Sequence, residues 1–418
     1  MLETARSALK ITELRNRLLF TVAMFIVFRL GSHVPVPGVD PGQLAAFFEG
    51  HDIFGFLNVI GGGNLSRFTI FALGIMPYIN ASIIMNLLTV VVPKFKEWSE
   101  EGPEGRKKLA QFTRYGTVLI ALIQAIGMSF TIAHEAIIDH TFGSYVVIII
   151  SLTAGTAFLM WMGELITEKG IGNGISLIIA AGIIAGLPMN VGLNIEQLRL
   201  GEISYLTVFV VLALLLVLVV GIIGLDQGQR RIPVHYSKRI KGRKMYGGQT
   251  THIPMKVNPA GVIPVIFASV LLMFPATIVQ FFDHPIAQSI AGALEWGQPL
   301  FLVLYVVLII LFAYFYTAIQ FDPNQISANI KRYGGFIPGL RPGKPTTAYL
   351  SRVITRLTTV GAFSLAFIAV FPIILQGITG MQIIFGGTGL IIVVGVTLET
   401  MKQIEGQMMM RSYRGFMR

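Results

Sequence analysis

An all-α integral membrane protein with ten transmembrane helices is the fold class this sequence predicts, and three observations carry it. Hydrophobic residues fill 54% of the 418 positions and charged residues 13%, too little charge to coat a soluble surface of that size. Apolar runs of about 17–25 residues, the length that crosses hydrocarbon as helix, recur from end to end. The 32 Lys and Arg concentrate in alternate loops, which is how a bilayer orients its helices. The net charge of +11 is therefore an orientation signal first, and one membrane bundle accounts for the chain.

In order, Arg6, Lys10, Arg15 and Arg17 precede an apolar run from Leu18 to Phe28, as in a signal peptide. Arg29, His33, Pro35 and Pro37 follow where a small-x-small cleavage site would stand, so the run reads as a retained first span at 18–34. Next comes Phe54-Gly55-Phe56-Leu57-Asn58-Val59-Ile60, then Gly61, Gly62 and Gly63. This piece is too short to cross; it is either re-entrant and enclosed by protein, or an amphipathic surface turn. Further spans are expected at 68–92, 115–133, 145–166, 175–191, 204–225, 258–282, 299–321, 353–375 and 383–400.

Loop charges set the orientation. The stretch 93–114 carries Lys94, Lys96, Arg106, Lys107, Lys108 and Arg114, loop 226–257 carries eight basic residues, and 322–352 carries five. The tail adds Lys402, Arg411, Arg414 and Arg418, whereas 35–66, 134–144, 283–298 and 376–382 contain no Lys or Arg. Both termini are expected in the cytoplasm.

Two pairs of helix openings suggest an internal repeat. Gly74-Ile75-Met76-Pro77-Tyr78-Ile79 opens span two and Gly261-Val262-Ile263-Pro264-Val265-Ile266 opens span seven. Gly172-Asn173-Gly174-Ile175 opens span five and Gly387-Thr388-Gly389-Leu390 opens span ten. A repeat of five spans must re-enter the membrane from the opposite side. Inverted halves, 1–200 and 201–418, are expected, with the working site between them near the midplane. Ile75, Ile79, Ile175, Ile179, Ile266 and Ile392 follow these breaks. They are either ordinary packing and lipid-facing residues or a ring that closes a pore by excluding water. A secondary transporter of the five-plus-five inverted class is the alternative, but ion coupling needs buried polar groups where isoleucines stand here.

No catalytic constellation emerges, and neither enzyme activity nor a cofactor is expected. His134-Glu135 lacks a second His at Ile138, the glycines at 170, 172 and 174 fall short of a dinucleotide loop, and there is no cysteine. The large basic loops hold more turn structure than an orientation signal requires. Alternating residues flank Lys238–Gly242 as in a projecting hairpin. Pro338-Gly339-Leu340-Arg341-Pro342-Gly343 reads as a rigid double turn presenting one arginine. A docking site for an acidic partner or RNA fits both.

Five segments together resemble the SecY family of protein-conducting channels: Phe71–Ile79, Gly170–Ser176, Asn258–Pro264, Pro338–Gly343 and Phe385–Thr388. The resemblance runs in order along nearly the whole chain. It implies a ten-helix clamshell around a central pore that passes secretory polypeptides across the cytoplasmic (inner) membrane and releases hydrophobic segments laterally. The family's pore ring maps onto the six isoleucines named above, and its plug onto residues 54–66, including Phe56, Leu57, Val59, Ile60, Gly61, Gly62 and Gly63. Its lateral gate lies where spans two and three face spans seven and eight. The implied partners are the SecE and SecG subunits, the SecA ATPase motor, the ribosome, signal peptides and precursor polypeptides, and membrane lipid. Arg239, Arg243, Lys244 and Arg341 occupy the matching docking positions for motor or ribosome. Leu225-Asp226-Gln227-Gly228-Gln229 departs from the family, which often has Glu and a basic residue there.

Overall fold

The computed structural model describes residues 11–40, 43, 61–130, 136–236, 239–241, 244–246, 250–279, 292–294, 297–381, 383 and 386–415. Its helices are α1 (Thr12–Gly31), α2 (Met76–Val91), α3 (Pro93–Glu100), α4 (Pro103–Phe130), α5 (Phe142–Lys169), α6 (Gly174–Leu200), α7 (Tyr205–Gln227), α8 (Ile263–Val279), α9 (Pro299–Gln320), α10 (Pro323–Arg332), α11 (Lys344–Thr379) and α12 (Gly386–Gly415). Leaving out the short α3 and α10, one helix stands at each expected span. Among the described residues, six are long and apolar enough to cross a membrane, or seven if α2 and α3, bent by 99°, count as one. The others are short or charged: α1 carries Glu13, Arg15, Arg17 and Arg29, and the 17-residue α8 is brief.

Several boundaries differ from expectation. Span two does not begin at residue 68: turns run from 61 to 75, because Gly74 takes a left-handed φ of +58° and Pro77 fits only a first helical turn. Span seven likewise starts at Ile263 rather than 258, after Gly261 at φ +63°. Conversely, α4 reaches back to Pro103 and α11 to Lys344, and α12 continues to Gly415. A helix need not end where the hydrocarbon does. The second sequence match is inexact in shape: Gly172 and Asn173 precede α6, whereas Gly387, Thr388 and Gly389 lie inside the first turn of α12.

Packing repeats between the two sets of helices. In the first set α2 packs on α4 and α5, α4 on α5, α5 on α6, and α1 on α5 and α6. In the second, α8 packs on α9 and α11, α9 on α11, α11 on α12, and α7 on α11 and α12. Every pairing in one set has its counterpart in the other. Between the sets α2 meets α8 and α6 meets α12, so each helix of these two pairs lies against its own repeat mate. That is the arrangement an axis in the membrane plane produces.

The basic loops 226–257 and 322–352 meet in one sheet. β1 (Gln229–Tyr236) and β4 (Thr250–Lys256) pair antiparallel from Gln229↔Lys256 to His235↔Thr250, and β2 (Arg239–Lys241) pairs with β3 (Lys244–Tyr246) as a second, two-stranded sheet. β5 (Gly335–Phe336), after α10, joins the other edge through His235↔Phe336 and Tyr236↔Gly335, giving the order β4-β1-β5. Ile232 and Val234, alternate residues of β1, are buried with Met255, Ile330, Leu350 and Val353 beneath the sheet. At the bend after α2, Trp98 packs on Phe112 with ring centroids 5.5 Å apart, under Lys94 and Lys108.

Candidate channel constriction

The glycine-bearing openings of α2, α6, α8 and α12 are each followed closely by an isoleucine. Ile75 is the N-cap of α2 and Ile79 follows one turn later. Asn173 caps α6, its carboxamide oxygen accepting from Ile175 N (3.1 Å) and Ser176 N (3.3 Å), which sets Ile175 and Ile179 on the first turns. Ile266 stands in the first turn of α8 and Ile392 in the second turn of α12.

All six expected residues fall in one apolar cluster. Ile75, Ile79, Ile179, Ile266 and Ile392 are buried, and Ile175 is partly buried against them. Ile175 also lies on Gly163 of α5, where a Cβ would stand 2.5 Å from its Cδ1. The six isoleucines come from four helices, two from each set, within a bundle-wide core that also takes residues from α1, α5, α7, α9 and α11. The core is apolar, mixing these isoleucines with aromatic residues such as Phe71, Phe267 and Phe301, and ion pairs of the described residues lie elsewhere, such as Arg114–Glu164 (2.7 Å) between α4 and α5. One polar tie crosses between the sets at the α5–α6 corner, where Gly172 N donates to Gln403 Oε1 of α12 (3.0 Å).

Of the expected plug, Phe56, Leu57, Val59 and Ile60 lie outside the described residues, while Gly61, Gly62 and Gly63 belong to a run of turns. Asn64 organises it: Thr69 Oγ1 donates to Asn64 Oδ1 (3.2 Å) and Thr69 N to Asn64 O (3.1 Å). Asn64, Leu65, Phe68 and Thr69 are each about fully buried, and Val36 N donates to Phe68 O (3.0 Å), tying the turn to the segment after α1. Gly62 seats directly on Gly182 of α6, where a Cβ would come within 2.9 Å of Gly182 Cα and O. Irregular backbone at membrane depth survives only when enclosed in this way.

The residues expected to dock a partner separate into two places. Arg239 and Lys244 lie on β2 and β3, and Arg243, between them, lies outside the described residues. Arg341 is exposed at the mouth of a surface groove of ≈ 410 Å³, with Lys331, Phe336, Leu340 and Pro342 around it. Its turn is held by Thr346 Oγ1 donating to Arg341 O (2.9 Å) and Leu340 N donating to Ile337 O (3.0 Å). Sequence reasoning missed β5, too short for any periodicity, and so missed that loops 226–257 and 322–352 share one sheet.

Inverted sets of helices meeting at an apolar core, with irregular backbone enclosed beside it, are the architecture of an α-helical membrane protein built of two repeated halves. The family model described as SecY matches residues 69–401. The protein translocase subunit SecY of Halalkalibacterium halodurans is 50% identical over 432 residues, covering 100% of both chains. Among solved structures, a protein-conducting channel superposes with TM-score 0.66 at 19% identity, covering 93% of this chain and 91% of that one. Sec61 in the canine ribosome-channel complex from the endoplasmic reticulum superposes with TM-score 0.62 at 18% identity, over the same shares. The chain belongs to the SecY family, and it is a protein-translocation channel subunit; the solute-transporter alternative is not favoured. The word translocase describes transport and carries no evidence of catalysis.

Proposed function

We propose that polypeptides cross through the constriction formed by Ile75, Ile79, Ile175, Ile179, Ile266 and Ile392, between halves 1–200 and 201–418. The observation that carries this reading is that all six fall in one apolar core, on four helices that form the two contacts between the sets. A dry aliphatic ring yields to chains of any sequence yet excludes water and ions when closed. Residues 54–66 act as the plug beside it, seated through Gly62 on Gly182. Hydrophobic segments leave sideways where α2 and α4 face α8 and α9. The chain lies in the cytoplasmic membrane with both termini and the sheet-bearing loops inside, as the distribution of Lys and Arg favours.

The partners in this reading are SecE and SecG in the membrane, and the SecA motor or a ribosome on the cytoplasmic sheet. Support for the ribosome comes from the similar channel solved in a canine ribosome complex. Arg239, Arg243, Lys244 and Arg341 supply cationic contacts, matched to acidic side chains or to RNA phosphate. Reconstitution into vesicles with SecA, ATP and a secretory precursor tests the whole reading. Protease-protected precursor is expected in proportion to the channel protein; none above protein-free vesicles would overturn it.

A further inference from the structure

The turns ahead of α2 and α8 each rest on the backbone of another helix in their own set. Gly155 of α5 faces the Ile70 carbonyl so closely that a Cβ would overlap its oxygen, and that Cβ would also stand 3.4 Å from Phe71. Gly361 of α11 faces the Val257 carbonyl, where a Cβ would stand 2.5 Å from the oxygen and 3.6 Å from Asn258 Cα. Ile70 and Val257 are each four residues before a left-handed glycine, Gly74 and Gly261, and Phe71 and Asn258 are each three before. α5 and α11 hold equivalent places in the repeated packing. The same backbone contact therefore occurs twice in register, although Ile70-Phe71-Ala72-Leu73 and Val257-Asn258-Pro259-Ala260 share no side chain at any position. Only the contact is repeated, which ties it to the architecture rather than to local sequence.

We infer that Gly155 and Gly361 are a matched pair of positioning residues, which lock α2 onto α5 and α8 onto α11 and thereby place Ile75, Ile79 and Ile266 in the closed constriction. The inference rests on the pore reading above. Ile70 O and Val257 O lie ahead of their helices and outside the helical ladders, so nearby protein must hold them. A glycine lets such a carbonyl approach a helix backbone at the distance of a Cα–H···O contact, which any side chain would prevent. The turns are the N-terminal anchors of α2 and α8, the helices that meet across the two sets. A displaced anchor shifts Ile75 within five residues and Ile79 one turn later. A seal that closes by shape alone has no charge to compensate for the shift.

The test uses the full chain purified with its accompanying subunits. Gly155→Ala and Gly361→Ala are compared with Gly143→Ala in α5 and Gly377→Ala in α11, positions where a Cβ meets nothing within 4 Å. Spin labels on cysteines at Ile84 and Leu271, both exposed on α2 and α8, report helix separation in this cysteine-free sequence. A variant in which Ile79, Ile179 and Ile266 are all Gly serves as the leak control. Each clasp variant should assemble, change the spin-label distance, and raise closed-state current in planar bilayers about tenfold, as expected for a methyl forced into a packed site. The two α5 and α11 controls should do neither. If the leak control conducts while both clasp variants keep parental current and distance, the clasp is wrong and the pore reading stands. If the leak control stays tight, the pore reading fails and the distance alone judges the clasp. Failure of both clasp variants to assemble, with both controls assembling, would also overturn it, since a positioning role predicts assembled but leaky channels.

Discussion

Gly74 and Gly261 hold nearly the same left-handed backbone, φ +58° and +63°, each two residues before a helix begins and three before a proline. A Cβ at Gly261 would meet nothing within 4 Å, and at Gly74 only Gly61 Cα at 4.0 Å. The requirement for glycine is thus conformational rather than steric at both. Alanine at either position should cost about 1–2 kcal/mol through the left-handed penalty, and asparagine, which tolerates that region, noticeably less. Thermal unfolding of the purified protein in detergent should rank Gly above Asn above Ala. An equal Tm for Ala and Gly would remove the strain argument.

Orientation is open to a direct check, because the sequence has no cysteine of its own. A single cysteine at Lys241, on the β2–β3 hairpin, should react with a membrane-impermeant maleimide only after the cells are permeabilised. A cysteine at Asp139, in the stretch without Lys or Arg after α4, should react without permeabilisation. The reverse pattern would invert the proposed topology.

Much of this fold could be read from apolar length and loop charge, since a bilayer imposes both on every span. Gly74-x-x-Pro77 and Gly261-x-x-Pro264 were legible for a similar reason: φ preference and a missing N–H are local properties. Three features were not. β5 spans two residues, Gly335 and Phe336, and exists only because β1 offers them an edge. The early start of α4 at Pro103 depends on packing against α3, which hydropathy does not register. Gly155 and Gly361 look like ordinary helix glycines until the carbonyls opposite them are located in space. Of the candidate site, residue identities were legible and a shared ring was one of two readings of them; hydropathy could not choose between the two, because Ile75 and Ile392 fall in one core only through the meeting of two separate sets of helices.

Adjacent glycines separate strain from seating at the turn proposed as part of the plug. Gly62 and Gly63 both have positive φ, +71° and +81°, so alanine strains the backbone at each. Only Gly62 touches Gly182, however; a Cβ on Gly63 would meet nothing within 4 Å. If the turn seals the channel through its seat on α6, Gly62→Ala should leak ions in the closed state severalfold more than Gly63→Ala. Equal conductance in planar bilayers would show that the seat is irrelevant to the seal.

Arg341 stands at a groove whose walls are already fixed. Pro338 and Pro342 flank its turn, Thr346 Oγ1 holds its carbonyl at 2.9 Å, and Ser327 Oγ donates to Gly343 O at 3.0 Å from the neighbouring α10. The backbone therefore has little freedom left to lose when a partner docks. A guanidinium can grip a carboxylate or phosphate at two points, a geometry that lysine cannot copy and glutamate reverses. Losing a docked charge-assisted contact of this kind typically costs ~2–5 kcal/mol, well above the effect of a peripheral charge. Arg341→Glu should thus reduce SecA-driven precursor import by at least about tenfold in vesicles carrying equal amounts of channel, with Arg341→Lys intermediate. Arg332→Glu, a nearby exposed charge in the last turn of α10, makes the same local change in charge without touching the turn. If both reversals slow import equally, the loop acts as a general positive field; if neither does, it serves only to orient the chain. A large loss confined to Arg341 is what a specific dock on this groove requires.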